Sequence, residues 1–169
     1  MVFTLFLFPT FKYSLTQMLS RYSKETRILV AIDCIIFGFD GNDIKLLLVK
    51  RGLEPEKGKW SLMGGFVRPD EDLEDASIRI LKKLTGLENV YMEQLLVFGE
   101  PGRDPVERTV SIAYFALIDI SQYEKQLSDE YNAEWFMIKE VPPLIFDHDR
   151  MVSLAKKQLR YKAALHPVL

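Results

Sequence analysis

Branched and apolar residues fill Arg27–Phe39 (RILVAIDCIIFGF) almost without interruption, the pattern of a strand buried on both faces. Asp40-Gly41-Asn42 then supplies turn chemistry, and Ile44–Val49 (IKLLLV) follows as the partner strand of a hairpin. Beyond the polar loop Leu53–Lys59, Trp60–Val67 (WSLMGGFV) reads as one short strand, whose glycines mark close approach by a ligand or another backbone. From Leu73 to Leu84 the apolar positions take up helical spacing, with Leu73, Ala76, Ile78, Ile80, Leu81 and Leu84 set among charges and Gly86 as the stop. Strands are predicted again over Val90–Phe98, Arg108–Ile118 and Ala133–Ile138, with a turn-rich loop at Gly99–Glu107. Met151, Leu154, Ala155 and Leu159 mark a closing helix that starts near Asp147 or Asp149. Strands interleaved with helices in this order predict an α/β fold, a mixed β-sheet sandwiched between α-helices.

Composition narrows the picture little. With 169 residues, 48% of them hydrophobic, the chain can bury one core, and a single domain is expected over residues 25–165. The net charge of -2, with both signs mixed along the chain, argues against a whole-surface grip on nucleic acid. Met1–Phe8 (MVFTLFLF) is apolar but far short of the ~18 residues of a spanning helix, and it has neither a basic flank nor a small-residue cleavage site. Residues 1–24 are therefore expected to lie outside the fold, with Met18 as an alternative start and no membrane partner, and residues 166–169 to form a tail. Cys34 is the single cysteine, so no intrachain disulfide can form, and a reducing cytoplasm is expected.

Chemistry enters at GFVRPDEDLEDASIRILKKLTGL, residues 65–87. This segment resembles the Nudix box, G-x5-E-x7-R-E-U-x-E-E-x-G-U with U aliphatic: Gly65, Glu71, Arg79, Leu81, Gly86 and Leu87 fall in register. Leu48-Val49-Lys50-Arg51 and Trp60–Phe66 are similar to the strand, loop and strand that precede the box, so the resemblance covers about Arg27–Ala164 and implies the Nudix fold. Gly65, Glu71, Arg79 and Gly86 would be its scaffold. At the box glutamates, however, stand Ile80, Lys83 and Leu84. Residues three and four apart share a helix face, so one face that would offer carboxylate oxygens to a divalent ion offers Ile, Lys and Leu instead. Two-metal activation of water is hard to build on it, so neither a catalytic residue nor a metal or other cofactor is expected. Glu71 is the one remaining acid in register for a metal. Asp70, Glu71, Asp72, Glu74 and Asp75 suit the helix dipole, and Asp75 is spaced to pair with Arg79.

Further matches are similar to those of a narrower branch, bacterial transcription regulators whose Nudix domain senses a small molecule without catalysis. They are Ala31–Phe39, Gly102-Arg103-Asp104-Pro105, Val110–Tyr114 and Leu144-Ile145-Phe146-Asp147-His148. The resemblance implies arabinose or a related sugar as effector in one subgroup and ADP-ribose or an NAD-related metabolite in another, and leans toward the sugar. It also implies a homodimer, with DNA contacted only through a winged-helix domain that this sequence lacks.

Arg51, Arg103, Asp104 and Arg108 suit phosphate or sugar hydroxyls, because a guanidinium is a fixed fork of donors; a salt-bridged loop is the competing reading. Trp60, Phe66 and Tyr114 suit stacking on a base or sugar ring, although aromatic residues on such strands more often sit in the core. His148 beside Asp147 at a helix start reads as structural, and with His166 the only other histidine no zinc site is expected. The alternative function is a Nudix hydrolase that cleaves an ADP-ribose-type nucleoside diphosphate, with magnesium or manganese held by acids such as Glu71, Glu93 or Glu100.

Overall fold

The computed structural model describes residues 22, 24–123, 125–127 and 131–165. Most of the expected extension over residues 1–24, and the whole tail 166–169 with His166, lie outside them. The elements run β1 (Leu29–Phe39), β2 (Ile44–Lys50), β3 (Trp60–Ser61), β4 (Met63–Phe66), α1 (Leu73–Thr85), β5 (Glu93–Phe98), β6 (Thr109–Asp119), a 3-10 turn at Ile120–Gln122, β7 (Ala133–Met137) and α2 (His148–Leu165).

One sheet holds all the strands, in the order β3-β2-β1-β6-β5, with β4 added to β1 and β7 to β2. It is mixed, because β1 runs parallel to β6 along their full lengths, Leu29 opposite Thr109 through Phe39 opposite Asp119, while its other pairings are antiparallel. β1 is the axis. Ile32, Cys34 and Ile36 project into the core under α1, and Ile35 and Phe37 into the core shared with α2. Both faces of the strand are thus covered, which is why its sequence does not alternate. Each such Ile or Phe contributes roughly 1.5–3 kcal/mol by leaving water.

The predicted strand Trp60–Val67 is two. It breaks at Leu62, whose N–H donates to Nδ1 of His148 (3.1 Å) instead of to a ladder, and the chain changes partner there from β2 to β1. Val90 and Met92 lie outside β5, buried beneath α1. Ile78, counted in the apolar periodicity, is 48% exposed.

α1 is capped at both ends. Asp72 accepts from the N–H of Asp75 (2.8 Å), and Gly86, in the left-handed region at φ 76°, donates to the carbonyl of Lys82 (2.8 Å). The glycine pair of β4 makes room for side chains from opposite faces. A Cβ on Gly64 would lie 2.6 Å from Oδ1 of Asp33, and one on Gly65 would lie 2.9 Å from Cγ1 of Ile80. Gly65→Ala is expected to cost about 1–3 kcal/mol by overpacking. In urea unfolding, adding Ile80→Ala should make the double variant less destabilised than the sum of the single ones; additive effects would refute this account of the glycine.

Candidate functional site

The box folds as a loop clipped onto a helix. Arg79 donates through Nε to Oε2 of Glu71 (2.7 Å), through Nη2 to Oε1 of the same carboxylate, and through Nη2 to the carbonyl of Phe66 (3.0 Å). Glu71 also accepts from the N–H of Arg68 (2.8 Å). The expected pairing of Arg79 with Asp75 is therefore corrected: the guanidinium reaches back across the loop to the Glu71 carboxylate, which it grips bidentately, while Asp75 gives only its backbone N–H to the cap. Hydrogen bonding from Arg79 holds the Glu71 carboxyl down at about 2.

Ile80, Lys83 and Leu84 do not form a single open face. Ile80 is 2% exposed and sealed against Gly65, Leu84 packs on the core under α1, and Lys83 stands in solvent. A divalent ion does not fit this donor set: two aliphatic chains and an ammonium supply no oxygen, and both oxygens of Glu71 are taken by Arg79. Glu93 and Glu100 are held elsewhere, by Lys162 (2.5 Å) and Arg150 (2.7 Å). Among the described residues no three His, Cys, Asp or Glu side chains converge as metal ligands.

On the opposite face of the sheet lies a buried polar network that the sequence did not reveal. Asp33, in the middle of β1, accepts from the hydroxyl of Ser111 (2.5 Å) and sits 3.7 Å from Nη2 of Arg103 and 3.6 Å from Nε2 of His148. Arg103 in turn grips Asp147 through Nε (2.9 Å) and Nη2 (2.7 Å). Since Nδ1 of His148 accepts from Leu62, the ring proton is on Nε2, facing Asp33. Burial pushes the His148 pKa down, against the pull of Asp33 and Asp147. The one hint was a carboxylate inside an otherwise apolar strand. His148, expected to be structural at a helix start, is a buried acceptor of the Leu62 N–H.

Arg108 donates to the carbonyls of Gly99 (2.9 Å) and Thr109 (3.2 Å), and Asp104 accepts from the N–H of Val106 (2.9 Å). Tyr114 is buried under α1, and that burial raises its pKa, with Glu74 and Asp72 adding to the shift. Phe66 is 53% exposed. Trp60 and Arg51 enter separate cation–aromatic pairs with residues not predicted as site residues: Lys50 lies 4.9 Å over the Trp60 ring and Arg51 lies 5.3 Å over Phe146. Arg51 is fixed through Nε by the carbonyls of Leu53 (3.0 Å) and Pro55 (2.7 Å). Phe146 has φ 52°, a left-handed conformation uncommon for an aromatic residue.

Fold and box agree with a match to the NUDIX domain family over residues 27–155, and the chain belongs to that family. It is 33% identical over 150 residues to an ADPR-responsive transcriptional repressor, NtrR, of Acinetobacter baylyi, covering 85% of this chain and 60% of the repressor. To an ADP-ribose pyrophosphatase of Methanocaldococcus jannaschii it is 33% identical over 162 residues, covering 95% of this chain and 92% of that one. The Nudix domain of Shewanella oneidensis NrtR, solved in complex with ADP-ribose, superimposes with a TM-score of 0.69 at 28% identity, covering 86% of this chain and 99% of that one. No helix among the described residues is long and apolar enough to cross a membrane.

Two outcomes follow from this geometry. Because the folded Glu71 carboxyl is held below its ordinary 4.5, the bond to Arg79 stabilises the native state above that value and is lost as pH falls toward about 2. Glu71→Gln should therefore flatten the dependence of stability on pH across that window in urea titrations. Arg103→Met, which leaves Asp147 and Asp33 without their buried cation, should cost about 3–5 kcal/mol; a loss under 1 kcal/mol would mean the network is incidental.

Proposed function

We propose that this chain is a noncatalytic Nudix domain that binds an ADP-ribose-type nucleotide as the effector of a transcription regulator. The observation that carries the reading is the box helix, where Ile80 is packed away against Gly65, Leu84 belongs to the core, and the carboxylate of Glu71 is spent on Arg79. A helix so built keeps its structural role and has no oxygen face for the ions that activate water.

The choice of effector goes to the nucleotide rather than to the sugar toward which the sequence leaned. The named relatives support it, because one is a repressor responsive to ADPR and another is a Nudix domain crystallised with ADP-ribose. The Lys50–Trp60 and Arg51–Phe146 pairs have matching chemistry: cations for a diphosphate and aromatic rings for a base. Arg51 and Trp60 are accordingly our first choices for ligand contact, ahead of Phe66, Arg103, Asp104, Arg108 and Tyr114. The domain would act in the cytoplasm as a homodimer; the chain spans 60% of the repressor's length.

The likeness to a pyrophosphatase along nearly the whole chain keeps hydrolysis as the second reading, with magnesium or manganese as its cofactor. Calorimetry with ADP-ribose, NAD and arabinose, run beside an assay for AMP release in magnesium and in manganese, separates the two. Saturable binding of ADP-ribose without turnover is the expected result. Hydrolysis at about 1 s⁻¹ or faster, within the ordinary enzyme range, would overturn the sensor reading.

A further inference from the structure

His148 joins the segments that carry the two cation–aromatic pairs. Its Nδ1 accepts the N–H of Leu62 (3.1 Å), which lies two residues after Trp60, and its ring meets that of Phe146 edge to face with centroids 6.0 Å apart. The pairs are also tied through the backbone: the N–H of Ile145 donates to the carbonyl of Trp60 (3.1 Å), and Leu144 bridges to Trp60. Phe146, in its left-handed conformation, is thus held between Ile145 on β3 and Asp147 in the grip of Arg103. A movement of the imidazole reaches both Trp60 and Phe146 through short, hydrogen-bonded backbone.

The ring is held in one protonation state. A proton added at Nδ1 would face the Leu62 N–H donor to donor, in a residue only 4% exposed. A second arrangement is close by, because the Ser61 hydroxyl lies 3.5 Å from the same Nδ1 and offers the new N–H an acceptor, at the cost of the Leu62 bond. Among the described residues the charged groups that act on the ring are Asp33 from β1, Asp147 from its own segment, Arg103 from the loop between β5 and β6 and, most weakly, Arg51 after β2. Nε2 lies 3.6 Å from Asp33, and the carboxylates of Asp33 and Asp147 share the guanidinium of Arg103, so charge favours an added proton. Burial opposes it and wins near neutrality, and the proton arrives only below the ordinary 6.5.

We propose that His148 is a positioning residue for the effector: neutral, it holds Trp60 and Phe146 in place for ADP-ribose, and once protonated it releases Leu62 and the affinity falls, so that acid gates effector binding. The proposal rests on the effector reading above. Lys50 stands over Trp60 and Arg51 over Phe146, so displacing either ring also displaces a cation from its partner.

The test is calorimetric titration of the full chain with ADP-ribose from about pH 8 to about pH 5, the range over which histidine titrates and neither the diphosphate nor the adenine changes charge. Wild-type affinity should be constant at the alkaline end and weaken by up to about tenfold per pH unit below the His148 midpoint, the slope of one excluded proton. His148→Asn keeps an acceptor for Leu62 that cannot take a proton, and its affinity should not change with pH. His166→Gln, which removes the other histidine, should keep the wild-type profile. In NMR spectra of wild type, the His148 ring, the Leu62 amide and the Trp60 indole should titrate with one midpoint. Saturating ADP-ribose should move that midpoint to lower pH, because coupling is reciprocal. These spectra need no variant and decide the point by themselves if His148→Asn does not fold. A flat wild-type profile, a pH dependence retained in His148→Asn, or a midpoint unmoved by ADP-ribose would each overturn the His148 assignment while leaving the effector reading intact. Failure of wild type to bind ADP-ribose at any pH would overturn that reading, and the His148 assignment with it.

Discussion

A carboxylate in the middle of the central strand is the constraint around which the rest of the protein is arranged. Asp33 is 5% exposed and flanked along β1 by Ile32 and Cys34, so its charge has to be met from neighbouring segments. Each of those segments is fixed in doing so: Ser111 from β6, Arg103 from the loop between β5 and β6, and His148 from the first turn of α2. Gly64 in β4 is needed because any side chain there would strike the carboxylate. His148 passes the constraint on by taking the N–H of Leu62, the point at which β3 gives way to β4. Burial of an ion is tolerable only when every lone pair finds a donor, and no buried side-chain nitrogen or oxygen among the described residues lacks a partner.

The two faces of the sheet consequently do different work. The α2 face is organised by charge, and its ion network anchors the start of the closing helix through Asp147 and His148. The α1 face is organised by packing, with Ile80 and Leu84 adding apolar surface where other boxes would carry acids. Glu71 and Arg79 hold the loop to α1 without either face. Scaffold and metal ligation are therefore separable properties of the box, which is how a helix can lose the second and keep the first.

On the reading proposed above, this separation is what lets a Nudix domain serve as a sensor. An enzyme must release its products, whereas an effector domain needs its ligand intact. On that reading, aliphatic and ammonium groups at Ile80, Leu84 and Lys83 in place of oxygen ligands remove the means of activating water. Lys50 and Arg51, at the end of β2, each stand over an aromatic ring, Trp60 and Phe146 respectively.

Most of the fold was legible in the sequence because it rests on local signals. Uninterrupted apolar residues gave β1, turn chemistry at Asp40-Gly41-Asn42 gave the hairpin, and helical spacing with a Gly86 stop gave α1. The family was legible too, since the spacing of Gly65, Glu71, Arg79 and Gly86 lies within one continuous segment, and so was the loss of acids at Ile80, Lys83 and Leu84. What the sequence could not determine is which charges meet. Arg79 had a plausible partner four residues away in Asp75 and took Glu71 instead; Arg103 meets Asp147 across 44 positions, and Asp33 meets Ser111 across 78. Such pairings depend on which strands lie side by side and which faces are dry, because an ion's partner is chosen by the cost of leaving it unpaired where water is excluded. That cost exists only once the tertiary structure has closed.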